Sequence, residues 1–518
     1  VGLGTLVRPA FVKPQSVSDL ASELGLERHG PDLNVTGISL HTDLVAPGDL
    51  FVAMPGAKRH GVEFWPTARD AGALALLTDP EGFESLRGHD IPVVVASFPR
   101  EHLGALAGRI YQTHNRPLPS MFGVTGTNGK TSTAFMLDAL MRSLGWATAM
   151  STTAERRVGD ETYASTLTTP EAPEIHAMVA LALEKGVRGI SLEVSAQALD
   201  KNRLDGVLVD VAGFTNLSHD HFEDFGGMDR YLEAKAQLFT PRHARSGVIC
   251  VDTKWGQKLH ANSAIPALRI AGESGPEADW RYSVLEAKSA STVFRVTSPE
   301  RVSAELWAPI IGAHMVSNAA LAVAMLVAHG VSLDEIGAVN GPSSPGIPVY
   351  LPGRMERVSG SRGPQIFVDA GHTEDAYTVT LNAVRPRTQG SLVMVCGTSG
   401  NRDPGKRPRM GAIAAQLADI VIVTDTSPRG EDPTNVRRGL LEGANSVPGS
   451  VVHEVADPTD AIRLAVALTG EGDTVLWMGQ GSQPYRDLGP QKIPFSARVE
   501  AQAALRDAGW TIDEASDV

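Results

Sequence analysis

The run Met121-Phe-Gly-Val-Thr-Gly-Thr-Asn-Gly-Lys130-Thr131-Ser132-Thr has the residue types and spacing needed to hold a polyphosphate. Gly126 and Gly129 let the backbone curl, so that successive N–H groups, those of Thr127 and Asn128 among them, face one anion. That anion then sits at the positive end of the helix that follows. Lys130 supplies a point charge for the outer phosphates, and the Thr131 hydroxyl is placed to ligate Mg²⁺. The strict G-x-x-x-x-G-K-[ST] pattern needs glycine where Val124 stands, so this is a variant of it. The pattern predicts that the chain binds ATP or a close relative.

Other residues suit the same chemistry. The run Ile190-Ser-Leu-Glu193-Val-Ser195 reads as a buried strand ending in a carboxylate. Strand carboxyl ends line the ligand crevice of an open α/β sheet, and a carboxylate there can hold the Mg²⁺ that bridges nucleotide phosphates. The segment Phe214-Thr-Asn-Leu-Ser-His-Asp220-His221-Phe-Glu-Asp carries two histidines and three carboxylates, which suits an oxygen/imidazole metal site. Any one of these also reads as a solvated loop residue. Lys235 lies in an amphipathic run, where the plain reading is an ordinary surface lysine. Thr168-Thr169-Pro170-Glu171 reads, by itself, as a helix N-terminus.

Three blocks of elements must position these residues. Residues 1 to about 117 mix short helices and strands, and a turn at Asn115-Arg-Pro-Leu-Pro ends the block. From 118 to 349, buried-strand runs alternate with helical segments, which predicts a mostly parallel sheet with helices on both faces. The turn-rich Asn340-Gly-Pro-Ser-Ser-Pro-Gly-Ile-Pro closes it. Residues 350–518 repeat the alternation and read as a second, smaller Rossmann-like α/β domain.

Composition agrees with a multidomain enzyme. A prior of roughly 150 residues per domain allows three or four domains in 518 residues. The 46 basic and 59 acidic residues, a net charge of −13, argue against a general nucleic-acid or membrane-surface binder. Cys250 and Cys396 each sit in an apolar strand-like run, as buried free thiols do in a reducing compartment. No apolar run approaches the ~18 residues of a membrane span, and the first residues lack a signal-peptide apolar stretch. The expectation is a soluble, cytoplasmic and monomeric protein.

Taken together, Thr125-Gly-Thr-Asn-Gly-Lys-Thr, Glu193-Val-Ser, Thr215-Asn-Leu-Ser-His-Asp-His, Glu233-Ala-Lys235-Ala, Pro352-Gly-Arg354-Met-Glu356 and Gly405-Lys-Arg-Pro-Arg-Met-Gly resemble the Mur ligase family. Within it the chain is most similar to the type that adds the third residue to a UDP-N-acetylmuramoyl dipeptide. The similarity is colinear over nearly the whole chain. It implies an N-terminal domain for the UDP end, a central ATPase and a C-terminal domain for the amino acid. It also implies that ATP activates a substrate carboxylate as an acyl phosphate, which the incoming amine attacks, releasing ADP and phosphate. By matching motif, Lys130, Thr131 and Glu193 would hold phosphates and a first Mg²⁺. His221 and a carbamylated Lys235 would help place a second, since a carbamate turns the lysine into an oxygen ligand. Asn318, Arg354 and Asp369 match positions that contact the nucleotide. Thr168, Thr169, Ser195 and Arg203 match the muramoyl side of the substrate site, and Thr42 matches the uracil pocket.

Departures from the family's pattern cluster at the two substrate ends. Asp-Ser-Arg near the uracil pocket reads His41-Thr42-Asp43, and Ser-Ser-His after Glu-Val reads Ser195-Ala196-Gln197. The first Asn of the His-Asn-Val-x-Asn signature is Met315. Tyr-Ala-His-Thr-Pro-Asp reads Ala370-Gly371-His372-Thr373-Glu374-Asp375. In the amino-acid domain, Asp-Asn-Pro-Arg reads Thr426-Ser427-Pro428-Arg429, and Gly-Lys-Gly-His-Glu reads Gly479-Gln480-Gly481-Ser482-Gln483. Arg429 keeps the fork that clamps a carboxylate, whereas Gln483 lacks the charge that would pair a distal ammonium. Two further readings stand beside the leading one: a paralogue that joins an amino acid to a different carboxylate, and a non-catalytic nucleotide-binding protein.

Overall fold

The computed structural model describes residues 7–56, 59–88, 90–165, 167–220, 222–288 and 290–512. The strands gather into three main sheets. The first has five strands in the order Glu27–His29, Val93–Val95, Ala75–Thr78, Asp49–Ala53, Gly37–Ser39, all parallel except the first. The third has six, with Gln365–Asp369, Thr474–Met478, Leu392–Cys396, Ile420–Val423 and Val451–Glu454 parallel and Glu356–Arg357 added antiparallel at one edge.

The central sheet positions the chemistry. Its parallel middle runs Thr148–Ser151, Gly189–Glu193, Ser120–Thr125, Val209–Phe214, Ala244–Cys250, Ala267–Gly272. Ser120–Thr125, which feeds the phosphate loop, and Gly189–Glu193, which ends in the carboxylate, are neighbours in register, Val124 opposite Glu193. The loop after Val209–Phe214 flanks the phosphate loop on the other side. Every strand run read from the sequence is present. The reading missed the wings: the hairpin Arg156–Val158/Glu161–Tyr163 and the meander Trp280–Ala287, Thr292–Thr297, Ser303–Ala308, which bring this sheet to eleven strands. These strands bury one face at most, so they carry no continuous apolar run.

Two helices pack under the phosphate loop. Lys130–Ser143 and Ala313–Ala328 are buried along most of their lengths, and their Met136, Leu137, Leu321 and Met325 join Phe122 and Val211 of the sheet. The same apolar cluster continues through Tyr377 and Leu381 into Met394 and Met478 of the third sheet. Cys250 and Cys396 are buried free thiols, as their apolar runs imply. No helix among the described residues is long and apolar enough to cross a membrane.

The first sheet is fastened to the central one by close backbone approach. In the helix Leu103–Ile110, Gly104 and Gly108 lie one turn apart against the central unit. A Cβ on Gly104 would stand 2.1 Å from the Asp205 carbonyl oxygen, and one on Gly108 would meet the His176 ring at 3.4 Å. His176, wholly buried, receives or gives a 2.6 Å bond with Thr113 Oγ1, and burial pushes its imidazole down to about 4. Gly104→Ala must therefore move main chain on one side of this seam. It should destabilise the protein by about 1–3 kcal/mol, seen as a lower thermal midpoint, whereas Gly470→Ala, with open space around it, should leave the midpoint unchanged.

Candidate active site

The phosphate loop is forced into shape by its neighbours. Gly126 has φ +151°, and a Cβ there would collide with Thr215 Oγ1 at 1.9 Å. Gly129, the residue before the helix, has φ +88°, and a Cβ there would meet Asn318 Oδ1 at 2.4 Å. Both positions therefore require glycine. The loop after Val209–Phe214 stitches itself to this turn. Thr215 Oγ1 donates to the Asn128 carbonyl at 2.6 Å, Asn128 N–H donates to Asn216 Oδ1 at 3.0 Å, and Ser218 N–H donates to Thr127 Oγ1 at 3.1 Å. Thr215 and Asn216 were quoted within a motif but given no role from sequence, and here they hold the loop.

Lys130 Nζ curls back onto the carbonyls of Gly126 (3.1 Å) and Thr127 (2.9 Å), with Glu193 Oε1 at 3.9 Å. Burial lowers the ammonium's pKa, and the Glu193 carboxylate opposes that shift. Thr131 Oγ1 donates to Glu193 Oε2 at 2.9 Å, and the same oxygen accepts from Thr153 N–H (2.9 Å) and Thr153 Oγ1 (3.1 Å). Arg354, on the far side, donates from Nη2 to Thr131 Oγ1 at 3.3 Å. Ser132 is buried in the first turn of the helix. Thr153 gave no sequence signal, because a threonine after a short strand is unexceptional.

Lys235 is not the surface lysine its amphipathic run suggested. It is 1 % exposed, its Nζ donates to the Gly126 carbonyl at 2.7 Å, and it lies 4.2 Å from the centre of the Tyr231 ring. Burial drives its pKa well below the ordinary lysine value, and the charge of nearby Lys130 drives it further. Both effects disfavour the charged form of this amine, which is held against the phosphate loop. His221 lies outside the described residues. Among the described residues no group of three or more His, Cys, Asp or Glu side chains forms a metal cluster. The Thr131 hydroxyl and Glu193 carboxylate are nevertheless hard oxygen donors in contact, which fits Mg²⁺ completed by phosphate oxygens.

The third domain reaches this centre. Asn128 Nδ2 donates to Asp375 Oδ2 at 3.1 Å and lies 3.5 Å from Thr373 Oγ1. Asp369 accepts from the N–H groups of Met355 (2.8 Å) and Gly371 (2.6 Å), and its burial raises the carboxyl pKa against the pull of Arg354. Met355 is left-handed at φ +49°, so Asp369 fixes the strained turn that carries Arg354. Asn318 presents its amide to Gly129 and donates to Met315 Sδ at 3.7 Å, a weak acceptor at the altered signature position.

The residues expected on the muramoyl side adjoin Glu193 through its main chain. Thr169 Oγ1 donates to the Glu193 carbonyl at 2.8 Å and accepts from Ser195 N–H at 3.0 Å. Thr168 Oγ1 lies 2.9 Å from Thr153 Oγ1. Arg203 donates to the Thr169 carbonyl at 3.3 Å and pairs with Glu171 at 3.0 Å, the carboxylate that also holds Arg100 of the first domain at 2.9 Å. Thr168-Thr169-Pro170-Glu171 does lead into a helix, Ala172–Glu184.

The remaining expected residues lie apart. Thr42 begins a half-buried 3₁₀ turn beside a cleft lined by Arg8, Ser39, His41, Tyr111, Glu171 and Glu174. There the Asp49 carboxylate, 1 % exposed, is held by both Arg8 nitrogens at 2.5 Å. In the third domain Gly479 (φ +103°) needs glycine, because a Cβ would stand 2.6 Å from the Gly397 carbonyl. Arg429 is left-handed at φ +55°, half-buried, and its Nε is buried without a partner among the described residues. Burial and then Arg402 lower its pKa, against Asp487 and Tyr485. Gln483 is exposed, and among the described residues no hydrogen bond joins it to Arg429.

Known proteins carry the same architecture. Residues 34–111 match the model of the Mur ligase family catalytic domain, 124–326 the Mur ligase middle domain, and 353–481 the Mur ligase glutamate ligase domain. A UDP-N-acetylmuramyl-tripeptide synthetase of Leifsonia xyli subsp. xyli is 47% identical over 97% of this chain and 98% of its own. A UDP-N-acetylmuramoyl-L-alanyl-D-glutamate–2,6-diaminopimelate ligase of Streptomyces coelicolor is 38% identical over 96% and 98%. A solved structure of a ligase of that second name superposes with a TM-score of 0.61 at 26% identity, covering 92% of this chain and 96% of that one. With three consecutive domain models matched and full-length relatives at this identity, the chain belongs to the Mur ligase family.

Proposed function

We propose that this chain is an ATP-dependent, amide-forming ligase that adds an amino acid to a UDP-N-acetylmuramoyl peptide through an acyl phosphate, releasing ADP and phosphate. The observation that carries the reading is the joined Lys130–Thr131–Glu193–Lys235 centre at the glycine-forced loop. The full-length relative named as a tripeptide synthetase supports the substrate class. Units of residues 1–117, 118–349 and 350–518 would bind the UDP end, the nucleotide and the amino acid. Buried free Cys250 and Cys396 fit a reducing compartment.

Each residue's part follows from its place. Lys130, released from its own loop carbonyls, neutralises the migrating γ-phosphoryl, while Thr131 and Glu193 would hold Mg²⁺. That ion would supply charge neutralisation to the phosphates. Arg354 and Asn318 approach the nucleotide from opposite sides, and Asp369 positions Arg354 through Met355. Lys235, whose burial favours the uncharged amine, would add through Nζ to carbon dioxide and give up a proton to solvent, and the oxygens of the resulting carbamate would serve as metal ligands. Thr168, Thr169, Ser195 and Arg203 hold the substrate carboxyl end beside Glu193, and Arg429 and Gly479 line the acceptor side. Phosphoryl transfer asks for this kind of positioning and charge neutralisation more than for covalent help.

Phosphate release with the UDP-muramoyl dipeptide, across a panel of amino acids, tests the reading. Turnover only with another carboxylate would move the activity to a paralogous substrate, and absence of turnover would leave a nucleotide-binding protein. Lys130→Ala removes the phosphate-neutralising charge and no core atom, so kcat should fall by roughly a hundredfold or more, about 3 kcal/mol; a near-normal kcat refutes the role. Lys235→Ala should inactivate the enzyme and be partly rescued by formate or acetate, and a plain ammonium on Lys235 in the active, metal-bound enzyme at high resolution would exclude the carbamate. Diaminopimelate should be a poorer acceptor than amino acids lacking the second ammonium. Because Gln483 is exposed, the missing charge is worth only ~1 kcal/mol, and Gln483→Glu should raise kcat/KM for diaminopimelate about fivefold. An unchanged preference would show that other groups read the acceptor.

A further inference from the structure

The segment Gly405-Lys-Arg-Pro-Arg-Met-Gly has so far been given no chemistry. Lys406 ends the 3₁₀ turn Pro404–Lys406 and directly precedes the helix Arg407–Leu417. Lys406, Arg407 and Arg409 thus crowd a helix N-terminus, where the dipole disfavours cations, and the first turn has no acidic residue to offset them. Two of the three are balanced within their own domain. Arg407 forks onto both oxygens of Glu431 at 2.7 and 2.8 Å, and Arg409 pairs with Glu374 at 2.7 Å.

Lys406 differs. It is 4 % exposed, and its ion-pair partner among the described residues, Asp220, belongs to the central domain. The Nζ–Oδ1 distance is 3.6 Å, beyond a hydrogen bond. A desolvated ammonium with three donors is therefore held loosely in the seam between two domains, at a backbone position fixed by Pro404, Pro408 and the Asp403 cap on Gly405 (2.8 Å). Asp220 in turn lies two residues after Ser218, whose N–H donates to Thr127 Oγ1 of the phosphate loop at 3.1 Å. Lys406 thus meets the same short segment that holds the phosphate loop. A phosphoryl group, with several anionic oxygens, can use all three donors of such an ammonium.

We propose that Lys406 donates to the γ-phosphoryl oxygens of the bound nucleotide, completing from the C-terminal domain the cradle that Lys130 begins. Docking of that domain is thereby tied to the phosphoryl that is to be transferred. The proposal rests on the ATP reading above, and its test keeps the two separable. Binding of ADP and of the non-hydrolysable analogue AMP-PNP is measured by calorimetry with Mg²⁺ for the full-length protein and for the Lys406→Gln, Lys406→Met and Arg409→Gln variants. If the unsubstituted protein binds neither nucleotide, the ATP reading fails. If it binds both, loss of Lys406 should weaken AMP-PNP about tenfold or more and ADP by less than about twofold, as loss of one charge-assisted contact to the third phosphate requires. Arg409→Gln, which removes an exposed charge from the same helix end, should change neither. Equal losses for both nucleotides, or no loss for either, would overturn the proposal, as would an effect confined to the KM of the amino acid. Lys406→Met keeps the apolar stem packed and answers the question if the glutamine variant does not fold.

Discussion

A single buried carboxylate organises the site. Glu193 is 3 % exposed at the end of a central strand, and one of its oxygens accepts from Thr131 Oγ1, Thr153 N–H and Thr153 Oγ1 while the other faces Lys130. Its carbonyl takes the Thr169 hydroxyl. Three other pieces of chain therefore meet on one strand residue: the phosphate-loop helix, the segment after Thr148–Ser151 and the Thr168-Thr169 turn. A buried charge is tolerable only with this degree of satisfaction. The same satisfaction places an oxygen ligand beside the phosphate-binding helix end without any loss of fit in the sheet.

Around that carboxylate the positive groups are crowded on purpose. Lys130 and Lys235 both bond the Gly126 carbonyl, and two ammonium ions cannot share so small a dry volume cheaply. The conflict falls on Lys235, the more deeply enclosed, whose charged form is disfavoured by burial and by its neighbour together. The arrangement thus sets two residues of one type apart: Lys130 keeps the more open position beside Glu193, and Lys235 is enclosed beneath the loop.

Much of this was legible in the sequence because it is local. The glycines, lysine and threonine of the phosphate loop are spaced by the needs of one turn, and the strands of parallel sheets are continuous apolar runs, so Ser120–Thr125 and Gly189–Glu193 announce themselves. The wings Arg156–Tyr163 and Trp280–Ala308 did not, since half-exposed strands spread their apolar residues thinly. The pattern alone hid the burial of Lys235, which only the family resemblance singled out: its helix is amphipathic, but its Nζ meets Gly126, far away in sequence. Thr153, Arg100 with Glu171, and Arg8 with Asp49 depend wholly on long-range approach. The phosphate loop is one contiguous motif, while the surroundings of Arg429, with Tyr485 and Asp487 on a short strand far away in sequence, left only altered letters.

The glycine seam between the first two domains has a metrical consequence. With Gly104 against the Asp205 backbone and Gly108 against the His176 ring, this helix leaves no room for even one added carbon at Gly104. Any relative movement of the two domains along this helix must therefore carry main chain with it, so the seam resists sliding by geometry and not by the strength of any one bond.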